Sequence, residues 1–569
     1  MASAARGGKP ARMSTKNWAS FFLLCLMGLL VALVSFSDIA RRSDRGGVAV
    51  GNYYRRVQRS PSDINCVEEV GAVRKYIPTQ HQYHAVQRFT SKDATSLLQK
   101  KCSSRYKQHC YWKSNYHPSL SFLRALRTYE AHHRKCTEGR PLTDLAMRGS
   151  APSKCKYLVW RDLDGKGNQL ISLVSAFVYA LLTDRALLIT RGAELQHLLC
   201  EPFPQSSWLL PEDFPDDRIR ESAEVHGVFY DRALNSLNSS TTKGKNFEIP
   251  KRLEAFMSNW QTPSDLKFFC EGEQKLVTKV PWVFYRSNQY SVPGFYFIKS
   301  FRSQLNAWFP DRAVFLHAGR YLLSPQNEIW DQIMNVYKSE MASADRRLAI
   351  QVRAWGNGYT PIISAHIHSC AVYTGLLPNL TSSSENPSQQ DPNDGVVRAQ
   401  NPLVHHERIS VVLTSLRKEY AEKLAEVFNK TMQTENTSSG SKVRIVSPSS
   451  EGEQQTGHLS HDRKVIADMW LLSFADDMVS SPRSTFGYVS HGLAGIKPIV
   501  FNQYGISKEE VPNPPCWRSN LPGPCFIDHP DNMECPLEPG PSYIGDAHTD
   551  LEEVRPCELQ WGIGVFEEN

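Results

Sequence analysis

The sequence predicts an α/β protein of two Rossmann-type lobes facing a cleft, preceded by an N-terminal transmembrane helix. Three observations carry this expectation. Residues Trp18 to Phe36 hold no charge. A strand, a glycine-containing loop, a helix and a second strand follow one another between Tyr157 and Ile189. The strand–helix alternation then resumes from Leu348 to Phe501. With 569 residues, 41% of them hydrophobic, the chain can bury more than one core. Its formal charge of +7 is modest for this length. No Lys/Arg stripe or nucleic-acid motif accompanies it, so no nucleic-acid partner is expected.

The uncharged stretch at 18–36 spans about 28 Å as a helix, close to the thickness of a bilayer core. Arg6, Lys9, Arg12 and Lys16 precede it without an acidic residue. The positive-inside rule then makes 1–17 a cytoplasmic tail. No small-x-small cleavage site follows, so the span reads as an uncleaved signal anchor. Residues 37–63, rich in Arg, Ser and Gly, read as a stem, with the rest of the chain translocated. Of thirteen cysteines, Cys25 lies in the span, leaving an even twelve for disulfides. Local clusters (Cys102 with Cys110, and Cys516, Cys525, Cys535, Cys557) predict that the two ends of the folded region are stapled. No CxxC spacing points to zinc. Glycosylation sequons stand at Asn238, Asn379, Asn429 and Asn436.

Residues 80–135 read as helical, with the adjacent His132 and His133 on different faces. Tyr157–Trp160 fits a buried strand. The turn after it contains Gly165, Gly167 and Asn168, a weak nucleotide signal on its own. Asn168 suits either an N-cap or a ligand donor. Ile171–Leu182 reads as an apolar helix and Ala186–Ile189 as the next strand. The aromatics between 200 and 300 suit sugar stacking or a core. His317–Pro325, HAGRYLLSP, reads as a turn.

Leu348–Arg353 reads as a strand ending in an arginine. At that edge of an open sheet, the Arg353 fork suits a diphosphate or a structural salt bridge. Residues 379–402 and 431–442 read as polar insertions, around a strand at Ile409–Leu416 and a helix at Lys418–Phe428. A strand at Val443–Val446 precedes an apolar helical run, Val465–Val479, in which Asp476 and Asp477 read as structural or capping. The loop SSPRSTFGYVSHGLAG, Ser480–Gly495, then opens a second helix before the strand Ile499–Phe501. Its backbone N–H groups, Ser484 and Thr485 make either an anion site or an ordinary helix cap. The halves 64–345 and 346–569 match a GT-B arrangement, and equally other two-lobed α/β proteins.

The segments YLVW, GKGNQLISLVSAFVYALLTDRALLITRG, CEPFPQSSWLLPEDFP, HAGRYL, IQVRAW and MWLLSFADDMVSSPRSTFGYVSHGLAGIKP occur in that order. Together they resemble the plant xyloglucan fucosyltransferase family, glycosyltransferase family 37, from Tyr157 to the C-terminal CELQWG. The resemblance implies a Golgi single-pass type II membrane protein with its catalytic domain in the lumen. It implies inverting, metal-independent transfer of L-fucose from GDP-fucose to a galactose 2-hydroxyl. The acceptor would be a cell-wall glycan, xyloglucan or arabinogalactan, and a homodimer is a candidate assembly. By position, Arg353 would face the GDP pyrophosphate, and Ser484, Thr485, Phe486, Gly487 and Tyr488 would surround GDP. Gly165, Gly167 and Asn168 would line the cleft, with His317 and Arg320 supporting. The sequence departs from the family where a (T/S)-D-x-Y segment becomes Ser287-Asn288-Gln289-Tyr290, because the Asn288 amide cannot act as a base. Gln169 and Arg483 are further departures. Asn288 also motivates an alternative, a silent relative that binds glycans or scaffolds Golgi enzymes.

Overall fold

The computed structural model describes residues 102–566, apart from 114–115, 193, 239–247, 259–261, 355–358, 378–406, 435–441, 456, 502–509, 538–542, 545–550 and 558–561. The span at 18–36, the stem, Asn379 and Asn436 lie outside the described residues, as do the side chains of Asn238 and Asn429. Among the described residues no helix is long and apolar enough to cross a membrane.

Five strands form the first sheet: β1 (Tyr157–Arg161), β2 (Ala186–Ile189), β3 (Glu224–Val225), β4 (Arg252–Met257) and β5 (Trp282–Ser287). Their order is β2-β1-β5-β4-β3, and every pair is parallel. The second sheet contains β6 (Arg346–Gln351), β7 (Arg408–Thr414), β8 (Lys442–Val446), β9 (Asp477–Ser480), β10 (Ile499–Phe501) and β11 (Cys516–Arg518). Its order is β11-β10-β9-β6-β7-β8, with only β11 antiparallel. The central strands are buried on both faces, which is why YLVW and LAIQ read as unbroken runs rather than alternations. The α/β expectation of two doubly wound sheets is met.

Eight helices position the site: α1 (Leu120–Thr137), α2 (Lys166–Leu182), α3 (Val314–Leu322), α4 (Asn327–Val336), α5 (Pro361–Tyr373), α6 (Glu419–Thr434), α7 (Leu459–Ser473) and α8 (Thr485–Ala494). In α2 every residue except Asn168 is buried. A helix apolar on all sides needs protein on all sides. It packs on β1, β2, β5 and α3 within its own lobe, and on α7 and α8 beyond it. Trp112, Leu170, Phe177, Tyr321, Ala349, Trp470 and Leu493 therefore share one core that runs through both lobes. A smaller core, around Ile350, Ile367, Leu413 and Phe501, lies on the other face of the second sheet.

Several expectations need correction. Val465–Val479 is not one helix: α7 stops at Ser473 and Asp477–Ser480 form β9, between β6 and β10. A buried strand and a buried helix have the same apolar composition, so the run hid the break. Asp476 accepts the Arg347 backbone N–H at 2.8 Å, and Asp477 pairs with Arg518 at 2.7 Å. Both are structural. HAGRYL is helical rather than a turn. Of the two readings of the aromatics of 200–300, the core reading holds for Phe203, Trp208, Trp282, Phe284, Tyr285 and Phe295, which are buried.

The cysteines pair mostly across the chain rather than within clusters. Cys102 bonds Cys200, not Cys110; Cys136 bonds Cys155; Cys270 bonds Cys535; and Cys370 bonds Cys516. Among the described residues only the Cys525–Cys557 bond lies within one of those clusters. After Ser519 the chain leaves the second sheet and returns to the first lobe. There Phe526 packs on Phe269 and Asn306 donates to Glu553 at 2.7 Å.

One buried acid gives a pH signature. Glu130 on α1 accepts from the Tyr321 hydroxyl on α3 at 2.9 Å. Burial pushes the Glu130 carboxyl from 4.5 up to about 8, although Tyr321 pulls it down. A folded-state value raised in this way favours folding below pH 4.5 and loses that advantage as pH rises through about 8. Glu130→Gln keeps the acceptor and removes the charge. Its melting temperature should therefore gain on the parent's as pH rises across this window. Parallel melting curves would sink the assignment.

Candidate active site

The strand order decides where a ligand can bind. In open parallel sheets, ligands sit beyond the carboxyl ends of the strands. The loops after β1, β5, β6, β7, β8 and β9 all line one cleft of about 1240 Å³. Loops from both sheets contribute.

The second-lobe wall begins at Arg353, two residues beyond β6. Its backbone N–H donates to Ser481 Oγ at 2.8 Å, tying the loops after β6 and β9 together. Its side chain is exposed and lines the cleft. Next to it α8 starts. Ser484 is the N-cap, buried, and accepts from the Gly487 N–H at 3.4 Å. Arg483, Thr485, Phe486 and Tyr488 line the cleft, whereas Ser484 and Gly487 lie behind it. Gly487 is closely packed: a Cβ there would meet Ser480 Oγ, which would have to turn away, and sit 3.3 Å from Gln351 Oε1.

The first-lobe wall is the turn between β1 and α2 and the end of β5. Asp164, Gly165, Lys166, Gly167, Asn168, Asn288 and Gln289 line it. Asn168 acts as a bridge. Its Nδ2 donates to the Asn288 carbonyl at 3.0 Å, and its Oδ1 accepts from Thr485 Oγ1 at 2.9 Å. It is therefore neither the N-cap, which is Gly165, nor a donor pointed only at a ligand. Asn288 is buried, and its Nδ2 donates to Asp164 Oδ2 at 2.6 Å. Gln289 donates to Asp528 Oδ2 at 2.9 Å and accepts from the Ile527 N–H at 3.3 Å. The loop around Asp528 comes from the returning C-terminal arm.

Gly167 marks the seam between the lobes. A Cβ at this position would meet Thr485 Oγ1 at 2.6 Å and the Phe486 backbone nitrogen at 2.8 Å. The first turns of α2 and α8 touch through it. Gly167→Ala should therefore cost about 1–3 kcal/mol, because backbone cannot yield as a side chain can. Calorimetric unfolding checks this, and an unchanged melting temperature would refute the packing role.

His317 and Arg320 do not line the cleft. His317 Nε2 pairs with Asp311 Oδ2 at 2.7 Å. Arg320 donates to the carbonyls of Leu493 at 2.8 Å and Ala494 at 3.3 Å, closing the C-terminal end of α8 while lying over Trp112. Arg320 thus fixes α8 from behind.

The electrostatics add residues that sequence reasoning missed. Lys166 pairs with Asp462 of α7 at 3.1 Å with both side chains buried, a second link between the lobes. Burial holds the Asp462 carboxyl above its ordinary value, and Lys166 pulls it down. Asp468, bonded by Ser449, is pushed by burial to about 7. Burial also raises Asp528, opposed by the nearby Arg483. Glu451 pairs with His461 and Lys464. Asp164 was missed although it stands directly before Gly165 in the turn already singled out; Asp528 carried no local signal. Among the described residues no cluster of His, Cys, Asp or Glu is arranged to hold a metal.

Comparison with known proteins shows the family and agrees with the fold. A family model described as xyloglucan fucosyltransferase matches residues 78–535. Fucosyltransferase 2 of Arabidopsis thaliana is 36% identical over 485 residues, covering 82% of this chain and 84% of that protein. The galactoside 2-alpha-L-fucosyltransferase of the same plant is 34% identical over 487 residues, covering 83% and 81%. A solved structure of an Arabidopsis thaliana FUT1 mutant in complex with GDP superposes with a TM-score of 0.68 at 33% identity, covering 82% of this chain and 97% of that one.

Proposed function

We propose, from the premise that the chain belongs to the xyloglucan fucosyltransferase family, that it transfers L-fucose from GDP-fucose to the 2-hydroxyl of a galactose. The transfer inverts the anomeric centre and uses no metal. The acceptor is a cell-wall glycan, xyloglucan or arabinogalactan. The setting is the Golgi membrane, with residues 18–36 as the anchor and the catalytic lobes in the lumen. The observation that carries the reading is the meeting of Arg353 and the start of α8 in one cleft, within a chain matched to this family over residues 78–535.

The chemistry follows from the two walls. As the bond from C1 of fucose to the diphosphate oxygen breaks, negative charge grows on GDP. The Arg353 guanidinium meets that charge with a planar fork. The opening N–H groups of α8 add the positive end of a helix dipole. The acceptor then approaches from the first lobe.

Asn288 favours a second reading, a silent relative that binds glycans or scaffolds other Golgi enzymes, because its amide supplies no base. The test is GDP release from GDP-fucose with xyloglucan and arabinogalactan oligosaccharides side by side. Acceptor-dependent release supports the enzyme. GDP-fucose binding without turnover on any galactosylated acceptor supports the silent relative.

A further inference from the structure

Six carboxylates line the cleft: Asp164, Glu451, Glu453, Asp462, Asp468 and Asp528. Inversion requires the acceptor hydroxyl to lose its proton on the face opposite the departing diphosphate. With the diphosphate at Arg353 and α8, that face belongs to the first-lobe wall. Glu451, Glu453, Asp462 and Asp468 are on the second lobe. Three of these four are also engaged: Glu451 by His461 and Lys464, Asp462 by Lys166, and Asp468 by Ser449.

Two carboxylates remain on the acceptor side. Asp528 is tied by the Gln289 amide and faces Arg483. Asp164 is exposed in the cleft at the end of β1, the strand beside β5. Its backbone takes φ +62°, a conformation Asp tolerates, which turns the chain sharply into α2. The Asn288 amide donates to its Oδ2 at 2.6 Å, while Oδ1 takes no partner among the described residues. Asn288 is itself fixed through its carbonyl by Asn168.

We propose that Asp164 is the general base of fucosyl transfer and that Asn288 is its positioning residue. The inference rests on the fucosyltransferase reading above. In the step, the acceptor oxygen forms its bond to C1 of fucose as the bond from C1 to the diphosphate oxygen breaks. The hydroxyl proton passes to Asp164 Oδ1, and the bonding electron pair leaves with GDP. Asp164 then returns the proton to solvent. The carboxylate that the Ser287–Tyr290 segment lacks is thus supplied by the turn after the adjacent strand. Asn288 leaves the reacting proton to it and holds the anion in place.

The test uses the full chain purified in detergent with GDP-fucose and a galactosylated oligosaccharide. Asp164→Asn should lower kcat by about 10²–10⁴-fold and abolish the acidic limb of its pH profile. GDP affinity, read by calorimetry, should persist, which shows that the variant is folded. The double variant Asp164→Asn with Asn288→Asp returns a carboxylate to the same pair and should recover transfer over the single variant. If Asp164→Asn retains its acidic limb while Asp528→Asn loses it, the base is Asp528 and the assignment is overturned. If the parent protein transfers fucose and Asp164→Asn keeps its kcat, this inference alone fails. If the parent transfers to no acceptor, the fucosyltransferase reading and this inference fall together.

Discussion

Replacing Arg353 with alanine is expected to lower kcat about 10²–10³-fold, the scale of removing one preorganised donor from a developing anion. The fold should hardly notice. The Arg353 side chain is exposed, and the contact that ties its loop to β9 is made by its backbone N–H to Ser481, which alanine retains. Arg353→Lys should fall between the two, because an ammonium keeps the charge and loses the fork. Steady-state kinetics with an unfolding scan separates these effects. Near-parental kcat in Arg353→Ala would remove the residue from the donor wall. A large fall in melting temperature would make it structural instead.

The second large effect concerns stability. Lys166→Met should destabilise the protein by about 3–5 kcal/mol, because it leaves the Asp462 carboxylate buried without its cation. Both side chains are nearly inaccessible, at 6% and 2% exposure, so water cannot compensate. The sign with pH is fixed. Burial already raises Asp462, and Lys166 opposes that rise. Without Lys166 the carboxyl moves higher still. A raised folded-state value contributes stability at low pH that is lost as pH rises, so the deficit of Lys166→Met should shrink toward acid. Adding Asp462→Leu removes the stranded charge and should restore most of the loss. Denaturant unfolding of the three proteins checks this, and a pH-independent deficit would contradict it.

Much of the architecture was legible because parallel strands buried on both faces announce themselves as apolar runs. Arg353 was legible for a related reason: a charged residue ending such a run stands at the ligand edge of the sheet. The α8 opening was legible through its hydroxyls and glycines, although Gly487 and Gly167 serve packing rather than a ligand. What escaped was set by contacts distant in sequence. Most of the strand Asp477–Ser480 was absorbed into a helix, through Val479, because a four-residue buried strand has no period of its own. Arg320 looked like part of a turn, yet its role is decided by the carbonyls of Leu493 and Ala494. Cys102 passed over its near neighbour for Cys200. Asp528 meets Gln289 only because the chain comes back.

That return has a consequence in time. Gln289 and Asp528 are 239 residues apart, and Cys270 and Cys535 are 265 apart. At ribosomal speeds of about 5–20 residues per second, the first lobe waits on the order of tens of seconds for its closing arm. Throughout that interval Cys270 has emerged and Cys535 has not been made. A chain interrupted just before Cys525 already carries every residue of the donor wall, but it lacks Cys525, Ile527 and Asp528 from the cleft. The second-lobe wall and the complete cleft are thus laid down at different moments of synthesis, and the last stretch of the chain closes the cleft.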